Sequence, residues 1–132
     1  MSTRANIIIT DGYDELVFYR HSDGYPKGTM PTLEKFIGYV KDGVIRDNVS
    51  QASGWLILLG AEEYSAYYEP RGYAAKYHNA NPCIPTNWKC GAYEPATAIH
   101  GDIDFLYVVD LREKTITVYD GEVPYVGKFG KF

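Results

Sequence analysis

Two β-rich runs, Asn6-Ile7-Ile8-Ile9-Thr10 and Leu16-Val17-Phe18-Tyr19-Arg20, flank the turn cluster Asp11-Gly12-Tyr13-Asp14, and this arrangement constrains the fold more than any other feature. Asp-Gly supplies a positive φ at little cost, so the segment predicts a short antiparallel hairpin. In the second strand Leu16, Phe18 and Arg20 share one face, and Val17, Tyr19 and His21 share the other. The pattern then changes from period two to period 3.6. Leu33, Phe36, Ile37 and Val40 form one apolar stripe, with Pro31 expected in the first helical turn and Gly43 as the stop. A second helix is predicted from Asn48, with Gln51 completing a capping-box-like start, through Trp55-Leu56-Ile57-Leu58-Leu59 towards Tyr67. Its middle is apolar on nearly every side, so it is expected to be the more buried helix. Gly54 and Gly60 would weaken it unless another backbone packs closely against them.

From about residue 69 to 101 prolines and glycines break every periodic pattern, which predicts a long functional loop. Beyond it, Ile103–Val109 is apolar on both faces, as a central strand is, and Lys114–Tyr119 alternates as a half-exposed partner does. The tail from Val123 to Phe132 is expected to lie across the domain or at an oligomer contact. The order β-β-α-α-loop-β-β predicts an α+β fold. Its antiparallel sheet would have about four strands, with two helices packed on one face, in a single domain spanning residues 1–132.

A net charge of −4 argues against a surface that tracks the phosphates of duplex nucleic acid. No apolar run approaches the roughly 20 residues that a membrane helix needs. The start Met1-Ser2-Thr3-Arg4 carries no signal-peptide pattern, so no membrane partner and a cytoplasmic location are expected. The 13 tyrosines suit ligand walls and interfaces as well as strands, and fit a homo-oligomer. Cys83 and Cys90 read as reduced thiols in such a compartment. With His78 and His100 they can be drawn as four zinc ligands, although the tight knuckle spacing of structural zinc sites is missing.

One triplet occurs twice: His21-Ser22-Asp23 and His100-Gly101-Asp102, each at the lip of a predicted strand. Brought together, the pairs would place two imidazoles and two carboxylates in one volume, the raw material of an acid–base pair or a divalent-metal site formed by His21, Asp23, His100 and Asp102. They meet at one edge if the second strand and the strand after the loop are antiparallel neighbours, and fall at opposite ends if these run parallel. The segment around the first copy, Tyr19 to Gly28, also holds Arg20, a fork suited to phosphate, together with Tyr25 and Lys27. The same residues are good turn chemistry, with Asp23 bonding its own backbone. Trp88, Tyr93 and Glu94 precede the second copy and are candidates for the wall of the same site.

Met1-Ser2-Thr3-Arg4-Ala5-Asn6-Ile7, the run Tyr19-Arg20-His21-Ser22-Asp23-Gly24-Tyr25-Pro26 and the run Ile99-His100-Gly101-Asp102-Ile103 resemble a family of small uncharacterised proteins of bacteriophages and bacterial genomes. The resemblance spans nearly the whole chain and carries no catalytic roles. It implies a bacterial host cytoplasm and a phage accessory role, such as interference with host defence. Together with the residues, it leads to an expected binder of a small anionic ligand, a nucleotide second messenger, without turnover and with no cofactor. Arg20 and Lys27 would hold phosphate, and His21, Asp23, Glu94 and His100 would offer hydrogen bonds. Tyr25, Trp88 or Tyr93 would stack on the base. Two alternatives stay open: a hydrolase or phosphoesterase using His21, Asp23, His100 and Asp102 as catalytic groups, and an inhibitor that binds a host protein.

Overall fold

In a computed structural model, which describes residues 3–68, 92–120, 126–127 and 130–131, the hairpin forms as its turn chemistry requires. Strands β1 (Ala5–Thr10) and β2 (Glu15–Arg20) pair antiparallel, with Ala5 opposite Arg20 and Thr10 opposite Glu15. Asp11 Oδ1 accepts hydrogen bonds from the backbone N–H groups of Tyr13 (2.9 Å) and Asp14 (2.8 Å), and Gly12 supplies the left-handed residue at φ +91°.

Helix α1 (Pro26–Lys41) starts a turn earlier than its apolar stripe indicates, so Pro31 lies inside it rather than in its first turn. The reason is tertiary. Pro26 opens the helix, the Thr29 hydroxyl donates to the Asp23 carbonyl at 3.0 Å, and the Arg20 guanidinium reaches the same carbonyl. The stripe itself forms as expected: Leu33, Phe36, Ile37 and Val40 are buried, and Gly43 ends the helix at φ +78°. Helix α2 (Val49–Tyr68) is capped by Asn48, whose Oδ1 accepts from the Gln51 N–H at 3.1 Å. Its apolar middle is not buried on every side. Val49, Ala52, Leu56 and Leu59 face the core, while Ile57 and Leu58 are left 39% and 53% exposed. Gly60 is the glycine that close packing requires. A Cβ there would stand 2.8 Å from the Tyr93 ring and 3.1 Å from the Ala92 nitrogen, whereas one on Gly54 would meet nothing.

The remaining strands are β3 (Glu94–Ala96), β4 (Phe105–Asp110), β5 (Thr115–Asp120), β6 (Val126–Gly127) and β7 (Gly130–Lys131). The main sheet has five strands in the order β3-β2-β1-β4-β5, and β6 with β7 forms a separate two-stranded ladder. The fold is α+β, with one strand more in the main sheet than its sequence pattern announces. That extra strand, β3, comes from the end of the expected long loop, of which residues 69–91 lie outside the described residues, as does most of the tail from Val123. The sheet is antiparallel except where β1 meets β4 in parallel. β2 and β4 therefore run in opposite directions, but flank β1 instead of pairing with each other.

Both helices cover one face of this sheet. Ala5, Ile7, Ile9, Phe18, Tyr107 and Val109 pack there against Leu33, Phe36, Leu56 and Leu59. Each fully buried aliphatic or aromatic side chain contributes about 1.5–3 kcal/mol. On the opposite face Ile8, Val17 and Leu106 form a smaller cluster with Ile99 and Ile103.

Tyr107 ties this core to the loop before α1, its hydroxyl donating to the Gly24 carbonyl at 2.6 Å. Burial pushes the phenol up from its ordinary 10.0 to about 12. A group whose pKa rises on folding stabilises fully below its unfolded value and loses that contribution as pH climbs through the folded one. Stability in urea is thus expected to fall between pH 10 and about 12, and Tyr107→Phe should flatten that fall while lowering stability at neutral pH.

Candidate functional site

A row of side chains crosses the sheet on the face opposite the helices. Glu94 on β3, Tyr19 on β2, Asn6 on β1 and Leu106 on β4 stand opposite one another in register. Asn6 is a polar residue at the head of an isoleucine run and is fully buried. A buried amide must be satisfied, and its partners explain its presence. Its Nδ2 donates to the Phe18 carbonyl at 2.9 Å, and its Oδ1 accepts from the His100 backbone N–H at 2.7 Å. These bonds fix the orientation of the amide, so Nδ2, 3.4 Å from His100 Nδ1, faces that nitrogen as a donor.

The His100 ring stacks on Tyr19 with centroids 4.1 Å apart and planes 30° from parallel. His21, just past the end of β2, approaches the same tyrosine ring at 6.1 Å in a tilted arrangement. The two histidines thus share one ring, and both are exposed. The geometry follows from direction: the C-terminal end of β2 and the N-terminal ends of β1 and β4 lie together, as Ala5 pairs with both Arg20 and Phe105.

Arg4 enters from just before β1. Its backbone carbonyl accepts from the Asp104 N–H at 2.8 Å, and its Nε lies 3.5 Å from Asp102 Oδ2, with the side chain 35% exposed. Arg4 Nε is itself shielded from water and makes no hydrogen bond among the described residues. Loss of water, and next the Asp102 carboxylate, raise the Tyr19 phenol above its ordinary pKa, with the Arg4 guanidinium opposing them.

Arg20 is placed differently from the expectation that it holds phosphate. It is 2% exposed and sits on the helix side of the sheet, away from the histidines. Its Nη2 lies 2.7 Å from Glu63 Oε2, its Nη1 donates to Glu63 Oε1 at 3.1 Å, and its Nε reaches the carbonyls of Ser22 (2.8 Å) and Asp23 (3.2 Å). The guanidinium also covers the Tyr93 ring at 5.1 Å. Tyr93 is 1% exposed, packed against Gly60, so it is part of the core rather than a wall for a base.

The first His-x-Asp run is thus a turn built around Arg20. Asp23 takes the left-handed region at φ 58°, and a Cβ on Gly28 would come within 2.5 Å of the Asp23 carbonyl oxygen. Asp23, Tyr25 and Lys27 are exposed, and the Tyr25 hydroxyl donates to Asp23 Oδ1 at 3.3 Å. Glu94 is exposed beside Tyr19. Trp88, His78, Cys83 and Cys90 lie outside the described residues. Among the described residues no three His, Cys, Asp or Glu side chains gather closely enough to hold a metal ion. No described helix is long and apolar enough to cross a membrane.

No protein-family model, curated protein or solved structure matches the chain. Its chemistry is therefore read from this cluster alone. The sequence pattern pointed to His21, Glu94, His100 and Asp102, and missed Arg4, Asn6 and Tyr19. Asn6 carried a signal, being the one amide among consecutive strand residues that are otherwise apolar. Arg20 carried one too, since it shares a strand face with Leu16 and Phe18.

Proposed function

We propose that this protein captures a small anionic ligand, a nucleotide, without turning it over, on the surface formed by Tyr19, His21 and His100. The observation that carries this reading is the pair of exposed imidazoles around one tyrosine ring, with the Arg4 guanidinium at the same end of the sheet. Stacked rings with a nearby guanidinium suit a base and its phosphate. With Arg20 committed to Glu63, the phosphate role passes to Arg4. The phosphate would displace Asp102 from Arg4, and Glu94 would accept from the amino edge of the base.

Binding is favoured over hydrolysis by what the histidines touch. In the triad template a histidine base is oriented by a carboxylate bonded to its other ring nitrogen. Among the described residues neither histidine bonds a carboxylate: Asp102 turns to Arg4, Asp23 to Tyr25, and His100 Nδ1 faces an amide. In the phage and bacterial setting that the resemblance implies, capture would withdraw a nucleotide signal from host defence in the cytoplasm.

The test is to incubate the protein with a pool of cyclic and linear nucleotides, remove free ligand, denature and identify what is released by mass spectrometry. An unchanged nucleotide is expected. Arg4→Ala is expected to cut its recovery at least about tenfold, with the fold intact, because loss of a charge-assisted phosphate contact costs on the order of 1.5–3 kcal/mol. Appearance of product would favour the hydrolase, and a pool left free and intact would move a host-protein target to the front.

A further inference from the structure

The two edges of the main sheet are treated in opposite ways. At one edge β3 is only three residues long and carries Pro95, which shortens and blunts it against further pairing. At the other edge β5 is six residues long and unbroken, in continuous register with β4 from Thr115 opposite Asp110 to Asp120 opposite Phe105. From Thr115 to Tyr119 it reads Thr-Ile-Thr-Val-Tyr, with no proline, glycine or charge. These residue types favour strands, and among the described residues no strand pairs with the outer side of β5.

A long neutral edge is the kind of surface that proteins normally protect. Its charges indicate what covers it. Lys114 stands immediately before the neutral run and Asp120 ends it, placed symmetrically about Thr117. If two copies of β5 pair antiparallel about Thr117, Ile116 falls opposite Val118 of the partner subunit and Thr115 opposite Tyr119 of the partner subunit. Lys114 then falls opposite Asp120 of the partner subunit, and the two-fold axis repeats that pair at the other end. Lys114 is the last residue of the turn before β5, with a left-handed backbone at φ 57°. Its charge therefore meets Asp120 of the partner subunit at the end of the ladder through its long flexible side chain rather than as a ladder pair, and both ends bring opposite charges together. The pairing also shields Val118, which is 37% exposed, beside the half-buried Ile116. A parallel pairing in the same alignment would set each charge against its own copy.

We propose that β5 is the interface of a two-fold dimer of this chain, paired antiparallel about Thr117 so that the two main sheets become one. This inference is independent of the nucleotide reading, since the two histidines flank Tyr19 on β2, which β1 and β4 separate from β5.

The test is sedimentation equilibrium of the full chain at low salt, up to roughly millimolar protein, alongside the variants Lys114→Glu and Asp120→Lys. The wild type is expected to dimerise. Each variant alone sets like charges against each other at both ends and is expected to raise the dimer Kd about tenfold or more. An equimolar mixture of the two variants is expected to restore a one-to-one heterodimer, because opposite charges meet again at both ends. That recovery also shows that neither substitution has damaged the fold. A wild type that stays monomeric overturns the proposal, and slow amide exchange along β5 in that monomer would assign the edge to the chain's own residues. A dimer indifferent to both variants, or a mixture that stays monomeric, overturns the interface and its register.

Discussion

Arg20→Met is expected to be among the most destabilising single substitutions in the protein, costing about 3 kcal/mol through the buried charge it strands. The side chain is 2% exposed and engages Glu63, the carbonyls of Ser22 and Asp23, and the Tyr93 ring. Removing it strips Glu63 of its counter-charge. It also leaves the tight turn into α1 without the group that gathers its carbonyls. Glu63 retains 24% exposure, so water recovers part of the loss, which places the cost towards the lower end of the range for broken buried pairs. Arg20→Lys is expected to rescue little, because a single ammonium cannot bridge a carboxylate and the turn carbonyls as a fork does. In the double variant Arg20→Met/Glu63→Leu no charge is stranded, and stability should be no lower than in Arg20→Met alone. Urea denaturation checks all three variants, with the midpoint moving and the slope unchanged.

Asn6→Ala is expected to cost about 2–3 kcal/mol and to abolish ligand capture together. It leaves the Phe18 carbonyl and the His100 N–H without their partner, and opens a small void between β1 and the segment that carries His100. The functional loss follows from position. Asn6 is what holds that segment so that the imidazole stacks on Tyr19 at 4.1 Å. Asn6→Asp keeps an acceptor for the His100 N–H but sets a carboxylate oxygen against the Phe18 carbonyl at a fully buried position, so it is expected to cost at least as much stability as Asn6→Ala. By contrast, Tyr25→Phe removes an exposed hydrogen bond to Asp23 and should leave stability within about 0.5 kcal/mol of the wild type. Denaturation midpoints paired with nucleotide recovery separate these effects.

The parts of this fold legible in the sequence are those held by local interactions. The β1–β2 turn is made by Asp11 and Gly12 within their own segment, and the stripe from Leu33 to Val40 is a property of one helix. The start of α1 was not legible, because contacts from Arg20 and Thr29 to the turn decide it, and these join residues that periodicity does not relate. Nor was β3. Glu94-Pro95-Ala96 has no strand pattern of its own and becomes a strand by pairing with Val17, Phe18 and Tyr19. The insertion of β1 between β2 and β4 depends on strand order, which no local pattern encodes.

The site divides in the same way. The repeated His-x-Asp triplet pointed to one end of the sheet, and His21 and His100 do flank one tyrosine there. The role of each carboxylate was not legible. Asp102 turns to Arg4, which lies 98 positions away in the chain, and Asp23 is shaped by its left-handed backbone and the turn around it. Arg20 and Tyr93 have residue types that suit ligands equally well, and only their burial shows that they serve the core.

The most direct test of the central claim is to follow the imidazole resonances of His21 and His100 by NMR while the same nucleotide pool is added. If the surface around Tyr19 is the recognition site, both imidazoles and the Tyr19 ring signals shift together, and the shifts disappear in Arg4→Ala. If both imidazoles stay fixed at saturating nucleotide, whether or not the protein captures a ligand elsewhere, the account is contradicted.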